Sequence, residues 1–275
     1  MSLIQTSDGA ALYCHHWAVV QPKAVMTLVH GFGEHGGRYA HMAAYLNTRG
    51  IAVVSADFQG HGQTKGPRGI IGDYDVFRAD LAAVLDRTRE LYPDVPHLLF
   101  GHSMGGGIVL DYGFNPASDI RGIIASAPLI ALAEAPSPIL KTIVKIIGTC
   151  FPKAAMERPI DGTKISTLPE EQKRYEADNY CHGRLGFRLG RAMVEAGKNI
   201  AKRAEQWNTP LLLFHSPEDQ LTAYEASKDF AARAKQVRFH TMNAAEHEMH
   251  NDITRDQVYT LISDFVLEHA KDKST

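Results

Sequence analysis

The chain of 275 residues has few cysteines, no long apolar run and no excess of either charge. Its 3 cysteines, Cys14, Cys150 and Cys181, are far apart and form no CxxC pair, which argues against a disulfide framework and suits a reducing compartment. Lysine and arginine number 29 against 31 acidic residues, so there is no electrostatic basis for binding nucleic acid. No segment approaches the ~18–20 apolar residues of a membrane span, and a secretory signal pattern is missing. We expect a cytoplasmic globular protein that can associate peripherally with a membrane.

Short apolar segments alternate with amphipathic segments along both ends of the chain. Apolar runs bounded by turn residues predict buried strands, and the segments between them have helical periodicity. Strands that alternate with helices form a mostly parallel sheet covered on both faces. The sequence therefore predicts an α/β fold, preceded by an antiparallel hairpin that turns at Asp8-Gly9. The predicted parallel strands are 24–29, 51–56, 97–100, 122–126, 211–214 and 237–241.

This alternation stops between about residues 129 and 207, where helical periodicity continues but no strand follows. We predict an inserted helical cap here, over the carboxyl ends of the strands, where the loops of α/β proteins gather. The α/β core would then comprise residues 1–128 and 208–275, and the cap residues 129–207.

The pentapeptide Gly101-His102-Ser103-Met104-Gly105 has the pattern G-x-S-x-G of a nucleophile elbow. In that motif a sharp turn between a strand and a helix exposes a serine hydroxyl above the sheet. The turn requires small neighbours, because strand and helix pass close together and the serine takes a positive φ. A predicted strand precedes the motif and a helix-forming segment follows it. Ser103 is therefore the predicted nucleophile.

A serine nucleophile needs a histidine base, and the histidine needs an acid that orients it. In elbow-containing folds these partners follow the serine in the order acid, then histidine. Glu218 and Asp219 compete for the role of acid, in the loop after the predicted strand 211–214. His247 and His250 compete for the role of base, in the loop before the last predicted helix. The residues by themselves leave both choices open.

The oxyanion that forms during attack on a carbonyl needs hydrogen-bond donors. In this architecture they are backbone N–H groups, one in the loop after an early strand and one on the residue that follows the serine. Here that loop is His30-Gly31-Phe32-Gly33. The predicted donors are the amides of Phe32 and Met104.

Three blocks of sequence follow one another in the N-terminal half of the chain: HGFGEHGGRY at residues 30–39, DFQGHGQTKG at 57–66 and GHSMGG at 101–106. Together they resemble the monoacylglycerol lipases and the related lysophospholipase-like α/β-hydrolases. In that family the acid lies four residues after the position of His215, which selects Asp219. Its base has a second histidine three residues later, which selects His247 rather than His250.

The resemblance implies a serine hydrolase that cleaves the acyl ester of monoacylglycerols through an acyl-enzyme. Lysophospholipids and short-chain esters are the alternative substrates, and a peptidase or a catalytically silent binding protein is less favoured. The partner would be a small lipid ester, and no cofactor is implied.

A strongly amphipathic segment opens the predicted cap, with Ser137 as its cap residue and Pro138 at its first helical position. One interpretation is an ordinary helix that buries its apolar face on the core. The other is a lid whose apolar face lines an acyl site or touches a lipid surface, aided by lysines on the polar side. On the second interpretation Ile143, Val144 and Ile147 are candidate substrate-binding residues.

Two motifs resemble metal-binding or cofactor-binding signatures, but neither meets the spacing or the context that such a site requires. His247-Glu248-Met249-His250 is one residue short of H-E-x-x-H and lies in a predicted loop. The glycines of residues 31–36 match G-x-G-x-x-G, but no acidic partner for a ribose follows at the required distance. We predict neither a metal nor a cofactor.

Overall fold

A computed structural model of the chain describes residues 3–135 and 137–271. Its strands are β1 (Leu3–Gln5), β2 (Ala11–Trp17), β3 (Ala24–Val29), β4 (Ile51–Asp57), β5 (His97–His102), β6 (Ile120–Ser126), β7 (Ala155–Glu157), β8 (Arg184–Gly186), β9 (Leu211–His215) and β10 (Val237–Thr241). Its α-helices are α1 (Ala40–Thr48), α2 (Asp75–Leu91), α3 (Met104–Gly113), α4 (Pro138–Cys150), α5 (Pro169–Glu176), α6 (Phe187–Arg203), α7 (Tyr224–Arg233) and α8 (Arg255–Ala270).

Eight strands form one sheet in the order β1-β2-β4-β3-β5-β6-β9-β10. The pairs β1–β2 and β2–β4 are antiparallel, and every other pair in this sheet is parallel. Every residue of β3, β4 and β5 is buried, which is why these segments are almost continuously apolar. The mostly parallel sheet with an antiparallel start agrees with the sequence prediction.

A hydrophobic cluster covers each face of the sheet. One contains Phe77 of α2, Ile108 of α3 and Trp207, which precedes β9. The other contains Met42 of α1 and Phe265 of α8. The helices therefore lie on both faces of the sheet, and the predicted fold class is confirmed.

Between β6 and β9 the described chain forms α4, α5, α6 and the small antiparallel sheet β7–β8. Helix α6 contacts both α4 and the core helix α3. At Gly197 of α6 a Cβ would lie 2.3 Å from the carbonyl oxygen of Ile130, so a larger residue would push this helix off the core. The exact boundaries of core and cap stay a prediction.

Among the described residues, no helix combines the length and the apolar character that crossing a membrane requires.

Candidate active site

Ser103 lies in the turn between β5 and α3 with φ 55° and ψ −116°. Such a conformation costs a non-glycine residue on the order of 1–3 kcal/mol, so the surrounding structure must hold it. The Ser103 amide donates to the Ser126 carbonyl oxygen at 2.9 Å, and the Ser103 carbonyl oxygen accepts from the Leu129 amide at 2.9 Å. The strained serine is thereby fixed between two neighbouring segments.

The glycines on either side of the serine allow the close approach of strand and helix. A Cβ on Gly101 would lie 2.2 Å from the carbonyl oxygen of Gly105. A Cβ on Gly105 would lie 2.3 Å from the carbonyl oxygen of Val29. Both contacts are with backbone, which cannot move aside, so any larger residue at these positions would distort the turn.

The loops after β9 and β10 bring Asp219 and His247 together. His247 Nδ1 lies 2.6 Å from Asp219 Oδ2. The same carboxylate oxygen accepts from Thr222 Oγ1 at 2.8 Å and lies 3.0 Å from His215 Nε2. Asp219 Oδ1 accepts from the amides of Leu221 at 2.7 Å and Thr222 at 3.0 Å. The buried carboxylate is therefore fully engaged and held in one orientation.

The electrostatics of this pair favour a negative Asp219 and a positive imidazole. Burial raises the pKa of Asp219, but the charge of His247 and the hydrogen bonds from His215 and His247 outweigh it, so the pKa lies well below its ordinary value. Burial lowers the pKa of His247, yet the charge and the hydrogen bond of Asp219 raise it above its ordinary value. The carboxylate thus stabilises a protonated His247.

The competing candidates lie elsewhere. Glu218 Oε2 accepts from Ser216 Oγ at 2.8 Å. The His250 ring stacks on Tyr39 with centroids 4.8 Å apart and a 12° angle between the planes. The structure therefore places Asp219, and not Glu218, against His247.

A cavity of about 290 Å³ opens at this place, and both Ser103 and His247 line it. Phe32 lines the same cavity, in the loop after β3. A Cβ on the neighbouring Gly31 would lie 3.2 Å from Ser103 Cβ, so this loop runs directly beside the serine. Met104 is the first residue of α3, and the amides of a helix's first turn have no acceptor within the helix. Both predicted oxyanion donors thus belong to backbone beside Ser103.

A buried ionic cluster beneath the loop was not anticipated from the sequence. Arg38 Nη1 donates to Glu34 Oε2 at 2.9 Å, and Arg38 Nη2 donates to Glu248 Oε2 at 2.8 Å. Glu34 Oε1 accepts from the Gly31 amide at 2.6 Å and from Tyr39 OH at 2.8 Å. The cluster therefore anchors the loop that carries Phe32. Glu34 and Arg38 lie in the 30–39 block, but their partner Glu248 lies 210 residues from Arg38, a pairing that no local pattern signals.

The three candidate substrate-binding residues of α4 are not among those that line the cavity at Ser103. Val144 lines a second cavity of about 260 Å³ between α4 and α6. Leu132, Arg158 and Leu185 line both cavities, which are therefore neighbours. Ile143 lines neither of the two and is 44% exposed, and Ile147 lines neither and is half-buried. A role of these residues in substrate binding stays a prediction.

Three groups of described side chains have metal-ligating atoms within 4.8 Å of one another: His15, His35 and Asp57; His35, Asp178 and Cys181; and Glu34, His102 and Glu248. In the first two, side chains already hydrogen-bond each other, with His15 Nε2 2.7 Å from Asp57 Oδ1 and His35 Nε2 2.9 Å from Asp178 Oδ2. In the third, Arg38 forms ion pairs with both glutamates. Nothing here demands a metal, and its absence stays a prediction.

A strand–serine–helix elbow on a mostly parallel sheet, with an inserted cap, defines the α/β-hydrolase class. Residues 20–254 match the family described as "Serine aminopeptidase, S33". The chain is 30% identical over 251 residues to the monoacylglycerol lipase of Mycolicibacterium smegmatis, covering 90% of this chain and 89% of that protein. It is also 30% identical over 282 residues to an uncharacterized abhydrolase domain-containing protein of Dictyostelium discoideum, of which it spans only 30%.

Among solved structures, the monoacylglycerol lipase of Paleococcus ferrophilus has a TM-score of 0.84 and 27% sequence identity, over 94% of this chain and 99% of that one. The chain therefore belongs to the α/β-hydrolase family that includes the monoacylglycerol lipases, and it is a serine ester hydrolase.

Proposed function

We propose that the chain hydrolyses the acyl ester of monoacylglycerols through an acyl-enzyme on Ser103. The observation that carries this proposal is the 2.6 Å contact of His247 Nδ1 with Asp219, at the cavity that Ser103 also lines. The similarity to two monoacylglycerol lipases supports the substrate class. The family description mentions an aminopeptidase, whereas the similar protein and the similar solved structure are both lipases.

In the proposed mechanism His247 Nε2 takes the proton of Ser103 Oγ as the oxygen attacks the ester carbonyl carbon. The amides of Phe32 and Met104 donate to the oxyanion of the tetrahedral intermediate. Collapse of that intermediate breaks the ester bond, and His247 delivers its proton to the departing glycerol oxygen. A water molecule, deprotonated by His247, then releases the fatty acid by the same steps.

Asp219 does not take up the proton in this scheme. Its hydrogen bond to Nδ1 fixes the tautomer in which Nε2 of His247 is free to accept the serine proton. Its charge stabilises the imidazolium that forms, which agrees with the raised pKa of His247 and the lowered pKa of Asp219.

The cavity suits a substrate with one acyl chain. Apolar side chains line much of it, among them Leu129, Ile165 and Met193. The adjoining cavity between α4 and α6 adds further apolar lining, including Val144 and Val194. Burying a methylene contributes about 0.8 kcal/mol, so a long acyl chain gains much more from such a surface than a short one.

Lysophospholipids are a second candidate, and two cations at the catalytic cavity favour them. Arg158 and Lys164 both line this cavity, together with Glu134 and Asp161. A guanidinium and an ammonium are suitable partners for a lipid phosphate. If the phosphate is recognised there, Arg158→Gln should lower kcat/KM for lysophosphatidylglycerol while leaving monoacylglycerol hydrolysis unchanged.

We further propose that α4 makes transient contact with a lipid surface. Ile139 and Ile146 of α4 are 73% and 58% exposed, and Phe151, which follows the last residue of α4, is 65% exposed. Several exposed large apolar side chains close together mark an interaction surface. Exposed Lys145 adds positive charge on the same helix. An amphipathic helix of this kind binds an anionic interface through apolar insertion and attraction of its lysines.

Vesicle sedimentation tests this contact. Ile146→Asp should reduce binding to vesicles of phosphatidylcholine and phosphatidylglycerol several-fold, while hydrolysis of a soluble butyrate ester stays unchanged. Val20→Asp provides a matched control, since Val20 is 93% exposed on the core. Equal binding by all three proteins would contradict a role of α4.

The hydrolytic function itself is tested with a panel of esters that varies head group and chain length, together with aminoacyl anilides for peptidase activity. We expect the wild-type protein to prefer monoacylglycerols and Ser103→Ala to be inactive on all of them. Preferential cleavage of the anilides would overturn the proposal.

A further inference from the structure

His182, a residue of the cap, contacts the loop that carries Phe32. The His182 amide donates to the carbonyl oxygen of Gly33 at 2.8 Å. Its ring Nε2 lies 2.9 Å from the carbonyl oxygen of Gly60. Gly33 belongs to the loop after β3, and Gly60 to the loop after β4. A single cap residue thus joins two glycine-rich loops of the core.

The His182 ring also packs against the side chain of Phe32. The two ring centroids are 5.7 Å apart with an 82° angle between the planes. His61, which is fully buried, contacts Phe32 in the same edge-to-face manner at 5.6 Å and lies 5.2 Å from His182. The three rings form a triangle, and the Phe32 side chain packs against two adjacent imidazoles, one from the core and one from the cap.

Gly33 shows how tightly the cap and this loop fit. It has φ +73°, and a Cβ there would lie 2.3 Å from the carbonyl oxygen of His182. A glycine is thus required twice, once for the left-handed backbone and once for the approach of the cap. The loop has no room to shift toward the cap.

The contacts of the His182 ring make its role geometric rather than electrostatic. Nε2 faces a carbonyl oxygen, which can only accept, so Nε2 carries the proton. Burial lowers the pKa of His182, which keeps the ring neutral. The residue is not among those that line the catalytic cavity, so contact with substrate does not explain its position.

We propose that His182 is a positioning residue for the oxyanion hole, which holds the Phe32 amide in the direction that the oxyanion requires. This inference rests on the proposed function, because it assumes that Phe32 N–H is an oxyanion donor. Such donors must lie 2.7–3.1 Å from the developing oxygen, and a displacement of about 1 Å costs on the order of 10²-fold in rate. Glu34 holds the loop at the Gly31 amide, and His182 holds it at the carbonyl oxygen of Gly33, on the other side of Phe32.

The test compares His182→Ala, His182→Gln and the control His41→Ala, which changes an exposed histidine of α1. We expect His182→Ala to lower kcat about 10- to 100-fold with KM within twofold. His182→Gln keeps an N–H that can reach Gly60 and should recover most of the loss, and His41→Ala should equal wild type. The affinity for an acyl trifluoromethyl ketone should fall with kcat, because its adduct on Ser103 carries an oxyanion.

Gly33→Ala approaches the same contact from the other side, and it keeps the inference testable if His182→Ala does not fold. It should lower kcat by a similar factor, and the double variant with His182→Gln should be little worse than Gly33→Ala alone. Wild-type kcat and inhibitor affinity in His182→Ala and Gly33→Ala would overturn the inference, as would a change confined to KM. A wild-type protein without ester hydrolysis, or without fluorophosphonate labelling of Ser103, would instead refute the proposed function.

Discussion

The catalytic loops of the core bury polar side chains, whereas the cap helix α4 exposes apolar ones. At the core, Asp219 and His247 are buried, and both carboxylate oxygens of Asp219 have hydrogen-bond partners. On α4, Ile139 and Ile146 are mostly exposed to solvent. Buried polar groups with complete partners hold one geometry, whereas an exposed apolar helix face gains by finding another surface. We therefore place the proposed ester hydrolysis in the core and the proposed contact with a lipid surface on the cap.

The largest effect should come from the core. We expect Ser103→Ala to lower kcat at least ~10⁴-fold, because the remaining oxyanion donors and binding contacts cannot replace a nucleophile. Labelling by a fluorophosphonate should disappear, while the melting temperature stays near that of wild type. Labelling of another serine in the wild-type protein would be incompatible with this assignment.

The next prediction distinguishes the two adjacent candidates for the triad acid, Asp219 and Glu218. Asp219→Asn should lower kcat about 10³- to 10⁴-fold, since an amide favours the wrong imidazole tautomer and adds no stabilising charge. Glu218→Gln serves as the matched control and should stay within about threefold, because its carboxylate bonds Ser216 and not His247. Comparable damage in both variants would mean that the loop works as a whole and not through Asp219.

The cap should show a smaller effect that depends on chain length. If Ile143 faces the acyl chain, Ile143→Asp should lower kcat/KM for a long-chain ester about 10-fold, the value of roughly two buried methylenes, and spare a butyrate ester. Kinetics on both esters and a melting curve of the same variant check this. An equal fall for both chain lengths with a lower melting temperature would show that Ile143 serves only packing.

The smallest effect is a shift in pH dependence. His247 must be neutral to accept the serine proton, and its pKa lies above the ordinary value of 6.5. The acid limb of kcat/KM should therefore have an apparent pKa above 6.5. In Asp219→Asn the residual activity should show a limb at lower pH, because burial, which lowers this pKa, is then no longer opposed by the carboxylate. An unchanged apparent pKa in Asp219→Asn would contradict an electrostatic role of Asp219 toward His247.

Local patterns were sufficient for the elements of the core. The predicted strands 24–29 and 237–241 coincide with β3 and β10, since a short apolar run between turn residues has few alternative structures. The helix predicted to start at Pro138 coincides with the start of α4, because proline favours a first helical turn. The elbow was predicted equally well from its local pattern of small residues around Ser103, since the close approach of Gly101 to Gly105 is set within the motif.

Other features depend on residues that are distant in sequence. The choice between Glu218 and Asp219 came from a family resemblance, and only the folded loops show which carboxylate reaches His247. The bond between Arg38 and Glu248 closes over 210 residues. Periodicity reports which face of an element is apolar, but it carries no information on which distant loop will meet that face.

The sequence by itself determined the order of strands and helices in the core, the strained serine turn and the amphipathic character of α4, because each follows from local steric and hydrophobic rules. It did not predict the short strands β7 and β8 of the cap. Only the tertiary structure decided that His247 meets Asp219, that Arg38 bridges two glutamates and that His182 of the cap supports the loop of Phe32. These contacts form where the carboxyl ends of parallel strands converge, and their partners are set by the packing of the whole chain.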